Sequence, residues 1–120
     1  MANILIVDDS ASMRNMVSAT LQSAGHKVQD AGDGAQALTK AKASSFDAVI
    51  TDLNMPVMNG IELVKNLRAL PSYRYTPILL LTTESASDKK IEGKEAGATG
   101  WLVKPFNPEK LLATVGRVLG

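Results

Sequence analysis

The sequence lacks several features that would indicate particular kinds of site. It has no cysteine and one histidine, His26, which excludes disulfides, a thiol nucleophile, a thiolate metal site and a metal site built from several histidines. No apolar run approaches the roughly 20 residues that a membrane-spanning helix needs. The first run, Ile4–Val7, is also too short for the core of a signal peptide. These absences make a cytoplasmic protein without a membrane partner the first expectation.

The charge of the chain gives no sign of a polyanionic partner. Its 120 residues carry a formal net charge of +1, so the basic surface of a nucleic-acid-binding protein is not expected. The charges are unevenly distributed, with −2 over residues 1–60 and +3 over residues 61–120. A chain of this length can bury a core without disulfides or metals. We therefore expect a single domain spanning residues 1–120.

Four short apolar runs each end in polar residues of a chemically useful type. Ile4–Val7 is followed by Asp8 and Asp9, Ala48–Thr51 by Asp52, Ile78–Leu81 by Thr82 and Thr83, and Trp101–Val103 by Lys104. Such runs are typical of buried parallel strands, and ligand sites in open α/β sheets lie beyond the carboxyl ends of the strands. If the four runs share a sheet, three carboxylates, a hydroxyl and an ammonium meet at one edge. A magnesium-dependent phosphoacceptor site requires these groups.

Helix-like segments alternate with the strands, and a weaker strand is predicted at residues 27–31. Side chains that can cap helices precede three of these segments: Ser10 or Ser12, Asp33, and Asn107. The third helix is marked by Ile61, Val64, Leu67 and, as its last candidate, Leu70. Residues 86–96 form a mostly polar segment with Gly93 inside it. This fourth helix is therefore expected to be held weakly to the core.

The alternation predicts an α/β fold with a single doubly wound, five-stranded parallel sheet and helices on both faces. For a chain of this size the common flavodoxin-like strand order is 2-1-3-4-5. That order places strands 1 and 3 side by side, where Asp8, Asp9 and Asp52 would meet. Thr82 and Lys104 would reach the same edge from strands 4 and 5.

Four stretches of the chain resemble the receiver domain of two-component response regulators, and most closely the stand-alone regulators of chemotaxis. They are Ile6–Ser10, Asp52–Gly60, Thr82–Glu84 and Gly97–Phe106. Each stretch alone is a weak signal, but all four occur in order at the predicted strand ends, and the resemblance covers essentially the whole chain. The strand order 2-1-3-4-5 is also a property of that family, so the topology is not independent of the resemblance.

The resemblance implies how a magnesium ion and a phosphoryl group would be held. Asp52 is similar to the phosphoacceptor, and Asp9 to a direct Mg²⁺ ligand. Asp8 would bind the metal mainly through water, and the backbone carbonyl of Asn54 would be a further ligand. Thr82 resembles the hydroxyl residue that bonds the phosphoryl group.

The resemblance also implies a switch. Lys104 resembles the lysine that pairs with the phosphoryl group, and Thr82 the residue that is drawn toward it on activation. Trp101 stands where the family usually has a tyrosine or phenylalanine that changes rotamer. Asn54 and Glu84 occupy the positions that influence dephosphorylation.

The function implied is signalling rather than enzymatic turnover. A histidine kinase would supply the phosphoryl group, and the output partner would be a flagellar motor switch protein or, in a relay or phosphate sink, a phosphotransfer protein. A small magnesium phosphatase is a weaker alternative, because Asn54 stands where such enzymes need a second aspartate as acid and base. A flavodoxin-like FMN protein is weaker still, because the loop after strand 1 has two acids and no glycine-rich anion cradle.

Overall fold

The computed structural model describes residues 2–82, 87–104 and 107–119, which form five strands and five α-helices. The strands are β1 (Asn3–Val7), β2 (Lys27–Ala31), β3 (Ala48–Asp52), β4 (Ile78–Thr82) and β5 (Gly100–Val103). The helices are α1 (Ala11–Ser23), α2 (Gly34–Ala43), α3 (Gly60–Arg68), α4 (Ser87–Ala96) and α5 (Pro108–Leu119). A short 3-10 turn covers Pro71–Tyr73.

The five strands form one parallel sheet in the order β2-β1-β3-β4-β5. This confirms the predicted flavodoxin-like order. Strands β1 and β3 are neighbours, with Val7 paired to Thr51, so the residues that follow these strands emerge side by side. The carboxyl edge of the sheet is therefore where the predicted site residues are gathered.

Each face of the sheet carries its own hydrophobic core, because successive side chains of a strand point to opposite faces. In β1, Leu5 and Val7 pack with residues of α2 and α3. Ile4 and Ile6 pack on the other face with residues of α1 and α5. Every residue of β3 and β4 is buried. The predicted helices on both faces are thus confirmed.

Side-chain caps begin the helices where the sequence predicts them. The Ser10 hydroxyl accepts from the Met13 N–H, which selects Ser10 over Ser12 as the cap of α1. Asp33 caps α2 in the same way, and the Asn107 side chain accepts from two N–H groups at the start of α5. These bonds satisfy backbone donors that a helix leaves unpaired at its start.

Helix α3 ends earlier than the spacing of its apolar residues predicts. It stops at Arg68, and Leu70 takes an extended conformation with φ −85° and ψ 124° before the 3-10 turn. Pro71 explains the difference, because the proline ring disfavours helical geometry in the residue that precedes it. The prediction that Leu70 belongs to the helix is therefore wrong.

The side chain of Arg68 ties the end of α3 to the segment that follows α4. Its guanidinium donates to the carbonyl oxygen of Gly97 at 2.8 and 3.0 Å and to those of Tyr73 and Thr76 at 2.7 and 2.6 Å. Gly97 itself has a φ of 111°, a conformation that favours glycine. The carboxyl end of α4 is consequently fixed to α3 and to the loop before β4.

Candidate functional site

Three carboxylates lie together at the carboxyl edge of the sheet. Asp8 and Asp9 follow β1, Asp52 ends β3, and oxygen atoms of the three side chains lie within 4.8 Å of one another. Asp8 and Asp52 are buried, with relative exposures of 1% and 7%, whereas Asp9 is exposed. The strand order thus brings together the three acids that the sequence singled out.

Lys104 supplies the charge that balances this cluster. Its Nζ atom lies 3.0 Å from Asp8 Oδ2 and 3.3 Å from Asp52 Oδ1. Its backbone N–H donates to the carbonyl oxygen of Thr82 at 2.7 Å, which holds the residue after β5 against the end of β4. Burial alone would lower the pKa of Lys104, but its hydrogen bond to Asp8 and the charges of Asp52 and Asp8 raise it. Lys104 therefore stays protonated and pairs with two acids at once.

The electrostatic environment of Asp52 disfavours its ionised form. Burial raises the pKa of Asp52, and the nearby charge of Asp8 raises it further. The charge and hydrogen bond of Lys104 act in the opposite direction, but the net shift is upward. An added cation at this site would lower the pKa of Asp52 and favour its ionised carboxylate.

The other predicted site residues surround the cluster at different depths. Thr82 is fully buried at the end of β4, and Asn54 is exposed in the loop after β3. Glu84, together with Thr83, lies outside the described residues. Among the residues that the structure describes, Asp8, Asp9, Asp52, Thr82 and Lys104 all belong to one edge of the sheet.

Trp101 lies on the α4 side of the sheet and is half-buried against the core that includes Leu80. A Cβ atom added to Gly93 of α4 would lie 3.2 Å from Cζ3 of the indole, so the glycine lets helix and ring approach closely. A concavity of about 290 Å³ beside the ring is lined by Lys90 and Lys94. Trp101 therefore connects strand β5 to the least apolar helix of the fold.

The sequence-based reasoning missed the role of Gly60. A Cβ atom at this position would lie 2.3 Å from the backbone oxygen of Asp52 and 3.0 Å from the Cα of Leu53. The Gly60 N–H also donates to the Leu53 carbonyl oxygen at 2.8 Å. Only glycine lets the start of α3 rest against the backbone of the central acid.

The loop between Asp52 and Gly60 contains a strained turn. Val57 has a φ of 69° and is 81% exposed, and the Met58 N–H donates to the Pro56 carbonyl oxygen at 2.7 Å. This is a γ-turn with a β-branched residue at its centre, which is an unfavourable conformation. The side chain of Met58 packs over Gly34, where a Cβ atom would lie 2.8 Å from it.

Arg14 is a second residue that sequence-based reasoning missed. Its guanidinium reaches back from α1 and donates to the backbone oxygen of Asp8 at 2.6 Å. The sequence did contain one signal for this contact, because Arg14 is the only charged residue of α1 and lies in its first turn, shortly after Asp8 and Asp9.

His26, the one histidine of the chain, is half-buried, and its Nδ1 accepts from the Ala2 N–H at 3.2 Å. It lines a concavity of about 680 Å³ with Ala2, Asp47 and Tyr75. These residues lie at the amino-terminal ends of the strands, away from the carboxylates.

The donor set of the cluster fits a hard divalent cation. Three carboxylates offer the oxygen ligands that Mg²⁺ prefers, and the exposure of Asp9 leaves room for metal-bound water. The chain has no cysteine, and its one histidine lies at the other edge of the sheet. Softer metals are therefore poorly matched to the site.

Residues 4–116 match the response regulator receiver domain, and the chain belongs to this family. Chemotaxis protein CheY-3 of Vibrio cholerae is 41% identical over 116 residues, which cover 96% of this chain and 89% of that protein. The solved structure of CheY4 of V. cholerae is 60% identical with a TM-score of 0.96 and covers 98% of both chains. Both of these relatives are regulators of the CheY type, which are not classical enzymes.

A further solved structure connects the family to magnesium. The receiver domain of a sensor histidine kinase of Pseudomonas aeruginosa, described with magnesium coordinated in its active-site cleft, is 30% identical with a TM-score of 0.92. The match covers 99% of this chain and 98% of that one. Among the described helices of this chain, none combines the length and the apolar character needed to cross a bilayer.

Proposed function

We propose that this chain is a phosphorylation-controlled signalling protein in which Asp52 accepts a phosphoryl group from a histidine kinase. The observation that carries the proposal is the cluster of Asp8, Asp9 and Asp52 with Lys104 at the carboxyl edge of the sheet. The match of residues 4–116 to the receiver family supports treating residues 1–120 as one receiver domain.

The proposed reaction transfers a phosphoryl group from a histidine nitrogen of the kinase to a carboxylate oxygen of Asp52. A carboxylate oxygen of Asp52 attacks phosphorus, the bond between phosphorus and the histidine nitrogen breaks, and the nitrogen keeps the electron pair and takes up a proton. The product is an acyl phosphate on Asp52. The low exposure of Asp52 limits the access of water to this product.

Asp8, Asp9, Asp52 and the backbone carbonyl of Asn54 would hold the magnesium ion. When bound, magnesium supplies positive charge that offsets the charge of the phosphoryl oxygens during transfer. Lys104 already contacts the carboxylate that would be phosphorylated, so its ammonium can pair with a phosphoryl oxygen after a short movement. Thr82 offers a hydroxyl donor from the end of β4.

The decisive experiment is intact mass spectrometry after incubation with acetyl phosphate and Mg²⁺. The wild-type protein should gain one phosphate, and Asp52→Asn should gain none. Asp47→Asn is a matched control, since Asp47 is an exposed acid at the opposite edge of the sheet. A phosphate adduct on Asp52→Asn, or none on the wild type, would contradict the assignment.

Magnesium should also stabilise the fold without any phosphoryl donor. The ion would bind the folded site and not the unfolded chain, so the melting temperature should rise with its concentration. Asp9→Asn should reduce this rise with little effect on the metal-free protein, because Asp9 is exposed. Identical melting curves with and without millimolar magnesium would contradict the metal site.

The output side of the proposal is a change in partner binding, with chemotaxis as the pathway supported by the named relatives. The phosphoryl group would draw the Thr82 hydroxyl toward itself, and Trp101 and α4 would shift in response. Lys89, Lys90 and Lys94 on α4 would favour an acidic partner surface. As the only tryptophan, Trp101 should report activation through its fluorescence.

The partner is tested with a peptide from a flagellar motor switch protein. Binding that requires phosphorylation supports the chemotaxis function. Transfer of the phosphoryl group to a phosphotransfer protein, without binding to that peptide, would instead support a relay intermediate or phosphate sink. The proposed influence of Asn54 and Glu84 on dephosphorylation is tested by the lifetime of the adduct in Asn54→Ala and Glu84→Ala.

A further inference from the structure

Every polar atom of Asp8 has a partner, and the partners fall into two groups. Its carboxylate oxygens accept from the Ser10 N–H at 2.9 Å and from Lys104 at 3.0 Å. Its backbone N–H donates to the Ala31 carbonyl oxygen at 3.2 Å, and its backbone oxygen accepts from Arg14 at 2.6 Å. A metal ion on the carboxylate would compete with the first group of contacts, whereas the backbone contacts can persist.

The bond from Arg14 acts on the peptide that joins Asp8 to Asp9. A peptide unit is planar, so fixing its carbonyl oxygen also fixes the direction in which the next residue leaves. Asp9 is exposed, and its position depends on that peptide. Arg14 therefore influences the two acids that flank the bond, although its guanidinium contacts only the main chain of one of them.

Arg14 is itself held in place from the other side. Its Nε donates to Asp30 Oδ2 of β2 at 3.1 Å, while Nη1 reaches the Asp8 oxygen, and only 21% of the Arg14 side chain is exposed. The planar guanidinium can serve both acceptors at once because its donors point in fixed directions. A lysine would have to reach both acceptors from a single nitrogen, whereas the guanidinium reaches them from two nitrogens held at a fixed separation.

We propose that Arg14 is a positioning residue for the magnesium site: it holds the Asp8–Asp9 peptide and thereby sets the affinity for the metal. This inference rests on the proposed function, because it concerns the same acids. Residues that orient metal ligands from outside the coordination sphere typically change the affinity by 10- to 100-fold when they are replaced.

The test compares Arg14→Gln with a matched control, Lys40→Gln. Lys40 also donates to a backbone carbonyl, that of Asp30, but one strand farther from the acids. Magnesium affinity is measured by isothermal titration calorimetry, and the free energy of unfolding is measured in urea with EDTA. We expect Arg14→Gln to bind magnesium about tenfold more weakly and Lys40→Gln to change the affinity by about twofold or less.

Arg14→Lys keeps the positive charge and is the variant to measure if Arg14→Gln does not fold. Its magnesium affinity should lie between those of the wild type and Arg14→Gln, because an ammonium offers one nitrogen in place of the two that contact Asp30 and Asp8. An affinity equal to that of the wild type in Arg14→Lys or Arg14→Gln would overturn the proposal. Equal losses of magnesium affinity in Arg14→Gln and Lys40→Gln would also overturn the proposal.

Phosphorylation by acetyl phosphate distinguishes positioning from direct contact with the donor. At saturating magnesium, Arg14→Gln should regain the wild-type rate, because the loss lies in metal affinity. A rate that stays low at saturating magnesium would overturn the inference in favour of a contact with the donor. A wild type that binds no magnesium would overturn the proposed function and this inference together, whereas a normal wild type with unaffected variants overturns this inference alone.

Discussion

Helices α3 and α4 pack side by side on the same face of the sheet, but the chain holds them very differently. Five of the nine residues of α3 are buried, and both halves of a capping box fix its start. In α4, Gly93 alone is buried among residues 89–96, and Ile91 is 56% exposed. The helix that rests on Asp52 is thus fixed, while the helix that rests on Trp101 is loosely held. A firmly packed helix and a weakly packed one are therefore neighbours on the same face.

The largest difference between the two helices should appear when an apolar side chain is shortened in each. Leu63→Ala in α3 should cost about 3 kcal/mol, because Leu63 is fully buried and its loss leaves a cavity. Ile91→Ala in α4 should change the free energy of unfolding by less than about 0.5 kcal/mol. Urea unfolding followed by circular dichroism measures both. Similar losses in the two variants would show that α4 is packed as firmly as α3.

The next largest contrast in stability is expected between alanine variants of Gly60 in α3 and Gly93 in α4. Gly60→Ala should cost about 2 to 3 kcal/mol, because its Cβ would press on the backbone of Asp52 and Leu53. In Gly93→Ala, the new Cβ would lie 2.7 Å from Leu80 Cδ1 and 3.2 Å from the Trp101 ring.

The atoms that face Gly93 belong to side chains, which can move, and alanine favours the helix by about 1 kcal/mol. The net change in stability for Gly93→Ala should therefore be within about 1 kcal/mol, accompanied by a shift in tryptophan fluorescence. A stability loss in Gly93→Ala as large as that in Gly60→Ala would contradict the view of α4 as adaptable.

The capping box of α3 should contribute a smaller amount. The Asn59 side chain accepts from the Glu62 N–H at 2.9 Å, and the Glu62 carboxylate accepts from the Asn59 N–H at 3.0 Å. Asn59→Ala should lower the free energy of unfolding by about 1 kcal/mol, with Asn66→Ala in the same helix as a control. An unchanged stability would mean that burial alone fixes the start of α3.

The smallest expected effect on stability comes from the negative charge of Asp52, the residue against which the start of α3 packs. Without metal at pH 7, Asp52→Asn should stabilise the protein by about 0.5 to 1 kcal/mol, since burial and Asp8 disfavour the ionised carboxylate. A carboxyl group whose pKa is raised on folding adds stability below its unfolded pKa and loses it as the pH rises through the folded pKa. The advantage of the variant should therefore shrink on acidification, as wild-type Asp52 takes up a proton. Urea unfolding in EDTA at several pH values measures this, and a destabilised variant at pH 7 would contradict it.

The sheet and the identity of the strand-end acids could be predicted because both follow from local sequence. Buried parallel strands read as apolar runs, and once the strand order is fixed, the residues after β1 and β3 must be neighbours. The caps at Asp33 and Asn107 were equally local, since each acts within one turn of its own helix, whereas the sequence did not decide between Ser10 and Ser12 for α1.

The contacts that were missed depend on how separate elements approach one another. The contact of Gly60 with Asp52 depends on how closely α3 returns to the strand that precedes it. The bond from Arg14 to Asp8 requires that α1 lie beside β2 at one particular rotation, which a hydrophobic pattern does not specify. Lys104 was predicted to serve the phosphoryl group, but its pairing with Asp8 depends on the distance between the ends of β5 and β1, which have β4 and β3 between them.

The attachment of α4 through Arg68 limits the kind of movement that this helix can make. Gly97, which follows the last turn of α4, is tied to α3, so the helix can tilt about that end but cannot slide along the sheet without breaking the bonds of Arg68. A helix of ten residues is about 15 Å long, and a tilt of roughly 10° would displace its far end by about 2.6 Å. That far end is the amino-terminal end of α4, which follows β4 in the chain. A small rotation of α4 would thus produce its largest displacement at the amino-terminal end of the helix, while the carboxyl end stays attached to α3 through Arg68.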